Sequence, residues 1–99
     1  MKGHVDLLLL ATLREGPLHG YAIVEKLRED SEGAFELAEG TVYPALYRLE
    51  KAGLLASRWT QAGGRRRRVY RLTRRGRAEL ARGRTEWKSF VSAVESVVT

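Results

Sequence analysis

The sequence contains no cysteine, so disulfides, thiolate nucleophiles and cysteine-ligated metals are excluded, and nothing calls for an oxidising compartment. Only two histidines occur, His4 and His19, with no HExxH pattern around them. His19 reads as a satisfied cap or core-edge residue rather than a general base. The acids fall mainly on predicted helix surfaces, and no glycine-rich loop has nucleotide-binding spacing. No catalytic group, metal site or cofactor is expected, and an enzyme is not the reading. The apolar run Val5–Leu13 is about half the length of a membrane span and lacks a small-residue cleavage site after it, which points to a cytoplasmic protein without a membrane partner.

What is abundant is positive charge. Eighteen Lys plus Arg stand against 12 Asp plus Glu, a formal +6, and residues 65–84 hold ten arginines and a single acid, Glu79. So concentrated a charge points to an anionic partner such as nucleic acid. At 43% hydrophobic the chain is too apolar to be disordered. A domain this small buries only about 60–65% of its unfolded surface on its own, so a second copy would help to stabilise it.

Residues 4–14 predict a first helix. Val5, Leu7, Leu8, Leu9, Leu10, Ala11 and Leu13 surround nearly its whole cylinder, so it needs cover from the core on one side and from a second subunit on the other. Glu15-Gly16-Pro17 breaks it, and a supporting helix begins near His19-Gly20 with Tyr21, Ile23, Val24 and Leu27. In the connection that follows, Phe35 and Leu37 are expected to pin the chain to the core. Thr41 is read as the N-cap of the next helix, with Pro44 in its first turn and Val42, Leu46 and Leu49 on its inner face. Gly53 ends that helix, and a strand from about Leu54 to Thr60, a Gly63-Gly64 hinge and a return strand ending at Leu72 form a β-ribbon, or wing. Thr73 caps a last helix that runs from Arg74 through Val98. The fold class is mainly α with a small β-ribbon: a winged helix-turn-helix over residues 1–72, then a long C-terminal helix over 73–99 that packs with helix 4–14.

Two surfaces follow. A helix presented end-on to a duplex enters the major groove, where donor and acceptor patterns distinguish all base pairs. Thr41, Tyr43 and Pro44 lie nearest the start of the third helix, and Tyr47, Arg48 and Lys51 continue along its outer side. Arg48 suits bidentate contact to guanine or to a phosphate, and Tyr43 either touches DNA or packs at the core edge. Arg65, Arg66, Arg67 and Arg68 alternate in direction along the return strand, so only some meet DNA at once; their mutual repulsion is relieved by a polyanion. Arg74 and Arg75 sit at a helix N-terminus, where an external anion explains two cations. The second surface is apolar. Leu80, Trp87, Val91, Val94 and Val98 recur at spacings of seven, four, three and four, with Phe90 beside them. With Val5, Leu8 and Leu9 they form the expected homodimer interface.

The runs LLLLATLREGPLHGYAIVEKL, GTVYPALYRLEKAGLL and GGRRRRVYRLTRRG resemble those of the PadR-like transcriptional regulators, over essentially the whole chain. By that resemblance Leu18–Tyr21 enter the second helix, Gly40–Ala45 enter the recognition helix, with valine at position 42 where leucine is common, and Gly63-Gly64 form the wing tip. The length suggests the compact subfamily with one C-terminal helix. The resemblance implies a homodimer that binds palindromic double-stranded DNA, usually to repress transcription. It also implies a candidate effector platform at Trp87 for a planar aromatic or phenolic ligand, although an aromatic in a dimer seam needs no ligand. Two other functions compete: a multidrug-sensing protein in which DNA attachment is secondary, and a non-specific architectural DNA binder.

Overall fold

The computed structural model describes residues 4–99. In chain order the elements are α1 (His4–Thr12), β1 (Leu18–His19), α2 (Gly20–Asp30), α3 (Glu39–Lys51), β2 (Leu55–Ala62), β3 (Arg65–Leu72) and α4 (Arg74–Val98). This is the winged helix-turn-helix with a long C-terminal helix that the hydrophobic pattern implied.

Helix α1 sits at the centre. Leu9, Leu10 and Leu13 are buried in one cluster with Ile23 of α2, Val42, Ala45, Leu46 and Leu49 of α3, Leu55, Tyr70 and Leu72 of the sheet, and Leu80 of α4. Burying a leucine side chain contributes about 1.5–3 kcal/mol, so this cluster is the main driving force for assembling all four helices around the sheet. The helix stops at Thr12, two residues before the predicted end. Leu13 and Arg14 bond back three residues, to Leu10 and Ala11, which tightens the last turn.

Helix α3 begins three residues earlier than its sequence suggested. Its N-cap is Ala38, which offers no side-chain bond, and the N–H groups of Thr41 and Val42 both reach the Ala38 carbonyl at 2.9 and 3.0 Å. Thr41 is therefore a first-turn residue and not the cap. Pro44 consequently lies beyond the first turn, where its missing N–H leaves the Gly40 carbonyl without an intrahelical partner. That loss falls on an exposed stretch of backbone that solvent can serve. The helix ends as expected: Gly53 adopts φ 82°, while Leu54 N–H bonds Leu49 O and Gly53 N–H bonds Glu50 O, both at 3.0 Å.

The three strands are antiparallel in the order β1-β3-β2. β1 went unread in the sequence because two residues carry no periodicity, yet Leu18 and His19 pair with Tyr70 and Val69. β2 runs from Leu55 to Ala62, shifted slightly from the expected 54–60. Gly63 and Gly64, at φ 60° and 77°, make the two-residue turn, for which positive φ at both central positions is required.

Thr73 does cap α4, accepting from Gly76 N–H at 3.0 Å and donating to Gly53 O at 2.7 Å. The hydroxyl thus ties the start of α4 to the turn between α3 and β2. Farther along, the helix leaves the core. Trp87, Phe90, Val94, Val97 and Val98 are all exposed, and Val91 is half-buried. Two residues assigned to the subunit interface belong elsewhere: Leu9 is 0% and Leu80 5% exposed within the single chain. The chain's own core consumes them, because α1 and the second turn of α4 face inward at those positions. Val5 and Leu8 remain half-buried.

Candidate nucleic-acid interface

The outer face of α3 carries Thr41, Tyr43, Pro44, Tyr47, Arg48 and Lys51, all exposed, opposite its buried Val42, Ala45, Leu46 and Leu49. Tyr47 is the most open, at 62%, and the Lys51 ammonium lies 5.6 Å from its ring centre. Tyr43 packs at the core edge and keeps part of its ring open to solvent. It stays 40% exposed while its ring covers Gly20, where an added Cβ would come within 2.4 Å of the ring. Burial, and secondarily the Glu39 carboxylate, raise its phenol pKa. Glycine at the start of α2 is thus what lets α2 and α3 approach at this point.

Arg48 is not a free fork. Both of its terminal nitrogens donate to Asp6 of α1 at 2.8 Å, and that hydrogen bond, followed by the carboxylate charge, raises the guanidinium pKa. The pair is exposed, so it contributes only about 0–1 kcal/mol to stability. Asp6→Ala is accordingly expected to leave thermal unfolding nearly unchanged while releasing one cation to a duplex. A titration against salt should then show a slope steeper by up to about 1. An unchanged slope would mean that Arg48 reaches DNA without leaving Asp6, or never does.

The wing sorts its arginines by face. The register pairs Ser57 with Tyr70, Trp59 with Arg68 and Gln61 with Arg66, so these share the face that buries Leu55 and Leu72. On it the Arg66 and Arg68 guanidiniums lie 4.7 and 5.5 Å from the Trp59 ring centre. Arg68 also donates to Ser57 Oγ at 2.8 Å and sits 3.5 Å from Glu50 of α3, which links the wing to that helix. Arg65 and Arg67 point to the opposite face, and Arg67 Nη1 lies 2.8 Å from His19 Nε2. His19 is the N-cap of α2, its Nδ1 accepting from Ala22 N–H at 3.3 Å. Partial burial, then the Arg67 charge, lower its pKa. Between the Arg65–Arg68 half of β3 and α2 runs a groove of about 780 Å³, lined by His19, Tyr21, Tyr43, Trp59 and all four wing-tip arginines. At the α4 N-terminus Arg74 and Arg75 are exposed, and the Arg75 guanidinium lies against the Gly53 backbone.

Trp59, Asp6 and Gly20 were not among the site residues expected from the sequence. Trp59 could have been found: once Gly63-Gly64 is a two-residue turn, counting outward sets Trp59 opposite Arg68. Asp6 and Gly20 gave no such signal.

A model of the transcriptional regulator PadR-like family matches residues 9–82, which takes in α2, α3 and the whole wing. The chain belongs to that family. The transcriptional regulator Rv3488 of Mycobacterium tuberculosis is 40% identical over 80 residues, covering 81% of this chain and 72% of that protein. A transcriptional regulator from Clostridium thermocellum superposes with a TM-score of 0.89 at 31% identity, over 99% of this chain and 93% of the other. Bacillus subtilis PadR in complex with operator DNA matches 78% of this chain and 44% of its own at TM-score 0.72 and 29% identity. The chain is thus a PadR-like, winged helix-turn-helix, DNA-binding regulator of transcription and not an enzyme. Among the described residues no helix of this PadR-like chain is long and apolar enough to cross a membrane.

Proposed function

We propose that this PadR-like regulator is a homodimeric repressor that acts in the cytoplasm on a palindromic operator in double-stranded DNA, near its own gene. Residues 1–72, joined by Arg74 and Arg75 at the start of α4, carry the DNA contacts, and the rest of 73–99, with α1, carries the dimer contacts. The observation that supports this best is the pairing of two surfaces on one chain. One is the cationic, aromatic α3 and wing surface. The other is an apolar ridge on α4, with Trp87 at 41% and Val98 at 71% exposure, that a lone chain leaves wet. In this reading Thr41, Tyr43, Pro44 and Tyr47 meet the major groove with Lys51, and Arg48 joins them by leaving Asp6. Arg65, Arg66, Arg67 and Arg68 hold the wing tip to the backbone, with Arg74 and Arg75 on flanking phosphates. Val5, Leu8, Trp87, Phe90, Val91, Val94 and Val98 meet the second copy.

The test is a titration with promoter duplex and with scrambled duplex of equal length, each at two salt concentrations. The repressor reading expects tighter promoter binding at both salts with two chains per duplex. Equal affinity for both duplexes, falling steeply with salt, would leave an architectural DNA binder instead.

A ligand-responsive form of the same reading rests on a second feature. An apolar groove of about 370 Å³ is lined by His4, Leu7, Leu8, Ala11, Phe35 and Trp87, with Arg84 and Lys88 as its charged members. Phe35, expected to pin the connection to the core, instead stands 45% exposed beside this groove, while Leu37 does pack on the core. Trp87 stacks edge-on with His4 at 6.0 Å and tilts against Phe90 at 5.8 Å. A planar aromatic effector fits, and the two cations favour a phenolic or otherwise anionic one. Such a ligand is expected to quench Trp87 fluorescence; the same quenching in Trp87→Leu, where Trp59 alone emits, removes the platform role.

A further inference from the structure

The sheet supports the wing unevenly along its length. β1 pairs with β3 at Val69 and Tyr70, so from Trp59 and Arg68 outward the ribbon has two strands and no third. Two-stranded ribbons twist strongly and are marginal by themselves. A tip left to itself would therefore take many orientations relative to α3, and a duplex bound by both would have to order it at the expense of affinity.

A line of side chains on the inner face of the ribbon opposes this. Glu50 of α3 accepts from Ser57 Oγ at 2.8 Å, and Arg68 Nε donates to the same hydroxyl at 2.8 Å while its guanidinium lies 3.5 Å from the Glu50 carboxylate. Directly across the ribbon from Arg68 stands Trp59, whose ring centre is 5.5 Å from that guanidinium and 4.7 Å from the guanidinium of Arg66. The two arginines are neighbours on one face of β3 and repel each other, whereas the electron-rich indole attracts both. Arg68 is thus anchored to α3 and to the ring. Arg66 takes part in no ion pair among the described residues, and the ring is what holds it. Trp59 is itself 54% exposed, so its place in the line adds little to the core.

We propose that Trp59 is a positioning residue for DNA binding: it holds Arg66 in line with Arg68 and Glu50, and so sets the wing tip against α3 before a duplex arrives. Arginine is among the side chains that lose most rotamer freedom on being fixed, and the stack removes part of that loss from the binding step. Trp59 touches no DNA in this arrangement. The role rests on Arg66 meeting the backbone as proposed above.

The experiment uses the full chain with Trp59→Leu, Trp59→Phe, Arg66→Gln and the pair of Trp59→Leu with Arg66→Gln, each titrated with the same promoter duplex at several salt concentrations. An exposed cation–aromatic contact corresponds to a change in affinity of about two- to fivefold. Trp59→Leu is expected to lose that much for each chain bound and to keep the wild-type salt slope, because the same phosphates are still neutralised. Arg66→Gln lowers the slope by about 0.9 for each chain, and adding Trp59→Leu to it costs nothing further. Trp59→Phe keeps a ring face and regains most of the affinity. In parallel, protein labelled with fluorotryptophan gives a fluorine resonance for Trp59, assigned from Trp59→Phe, that moves without DNA in both Arg66→Gln and Glu50→Gln. Wild-type affinity in Trp59→Leu, no recovery in Trp59→Phe, or a further loss in the double variant overturns the role, the last by placing the ring on the DNA. A resonance that ignores Glu50→Gln overturns the link to α3. An Arg66→Gln chain with the wild-type slope overturns the placement of Arg66 at the backbone, and the role of Trp59 falls with it.

Discussion

Gly76→Ala is expected to cost about 3 kcal/mol or more of stability, because the added methyl has nowhere to go. A Cβ at Gly76 would stand 2.0 Å from the Leu54 carbonyl oxygen and 3.0 Å from its carbon, both backbone atoms held in place. Leu54 O already accepts from Thr73 N–H at 3.2 Å, and Thr73 Oγ1 anchors Gly53 O, so the start of α4 cannot back away without breaking its own cap. Gly83 provides the contrast within the same helix. There a Cβ meets Leu7 Cδ1 at 2.7 Å, the end of a side chain that can turn aside, and alanine gains about 1 kcal/mol in helix propensity over glycine. Thermal unfolding of both variants at equal protein concentration checks this: Gly76→Ala should fall by about 12 °C or more, and Gly83→Ala should stay near wild type. Equal melting of the two would show that the α4 start is not wedged against the α3–β2 turn.

Phe90→Glu together with Val94→Glu should convert the protein to monomers and weaken operator binding by about 10²-fold or more. Both positions are exposed in the single chain, at 49% and 39%, so folding of the chain should survive the change. Two carboxylates in an apolar seam would be desolvated without partners, which no dimer contact offsets. Once the two DNA-binding surfaces are unlinked, each half-site must be bound independently and the gain from effective concentration disappears, typically a factor of about 10²–10⁴. Sedimentation velocity gives the mass, and a duplex titration gives the affinity. A dimer that persists would move the subunit interface off α4; a monomer with undiminished operator affinity would show that dimerisation does not serve binding.

These predictions depend unequally on what the chain displays in one dimension. The third helix was legible through Val42, Leu46 and Leu49, which recur with helical spacing and are all buried. Its starting residue was not legible. Thr41 looked like a cap because its side chain can accept, whereas the N-cap is Ala38, whose carbonyl accepts from the Thr41 and Val42 N–H groups with no side-chain bond. The wing was legible because Gly63-Gly64 can hardly be anything but a tight turn between two strands. Arg48 shows the opposite case. Its outward position followed from periodicity, but its bond to Asp6, 42 residues away, did not. Ion pairs of that range leave no local pattern.

The sequence by itself determined the class of fold and the concentration of positive charge beyond position 64, which follow from periodicity, glycine punctuation and composition, and it pointed to the family through the resemblance of whole motif runs. Only the tertiary structure decided which hydrophobic residues are spent. Leu80 lies on the same apolar stripe as Trp87, and Leu9 on the same all-round apolar helix as Leu8, yet Leu9 and Leu80 fill the chain's own core while Leu8 and Trp87 remain partly open. It likewise divided the four wing-tip arginines between a face held by Trp59 and Glu50 and the opposite face, where Arg67 meets His19. The physical reason is common to both. Periodicity says that a side chain lies on a face, but burial and charge pairing depend on what stands opposite that face, and this is set by contacts between segments far apart in the chain.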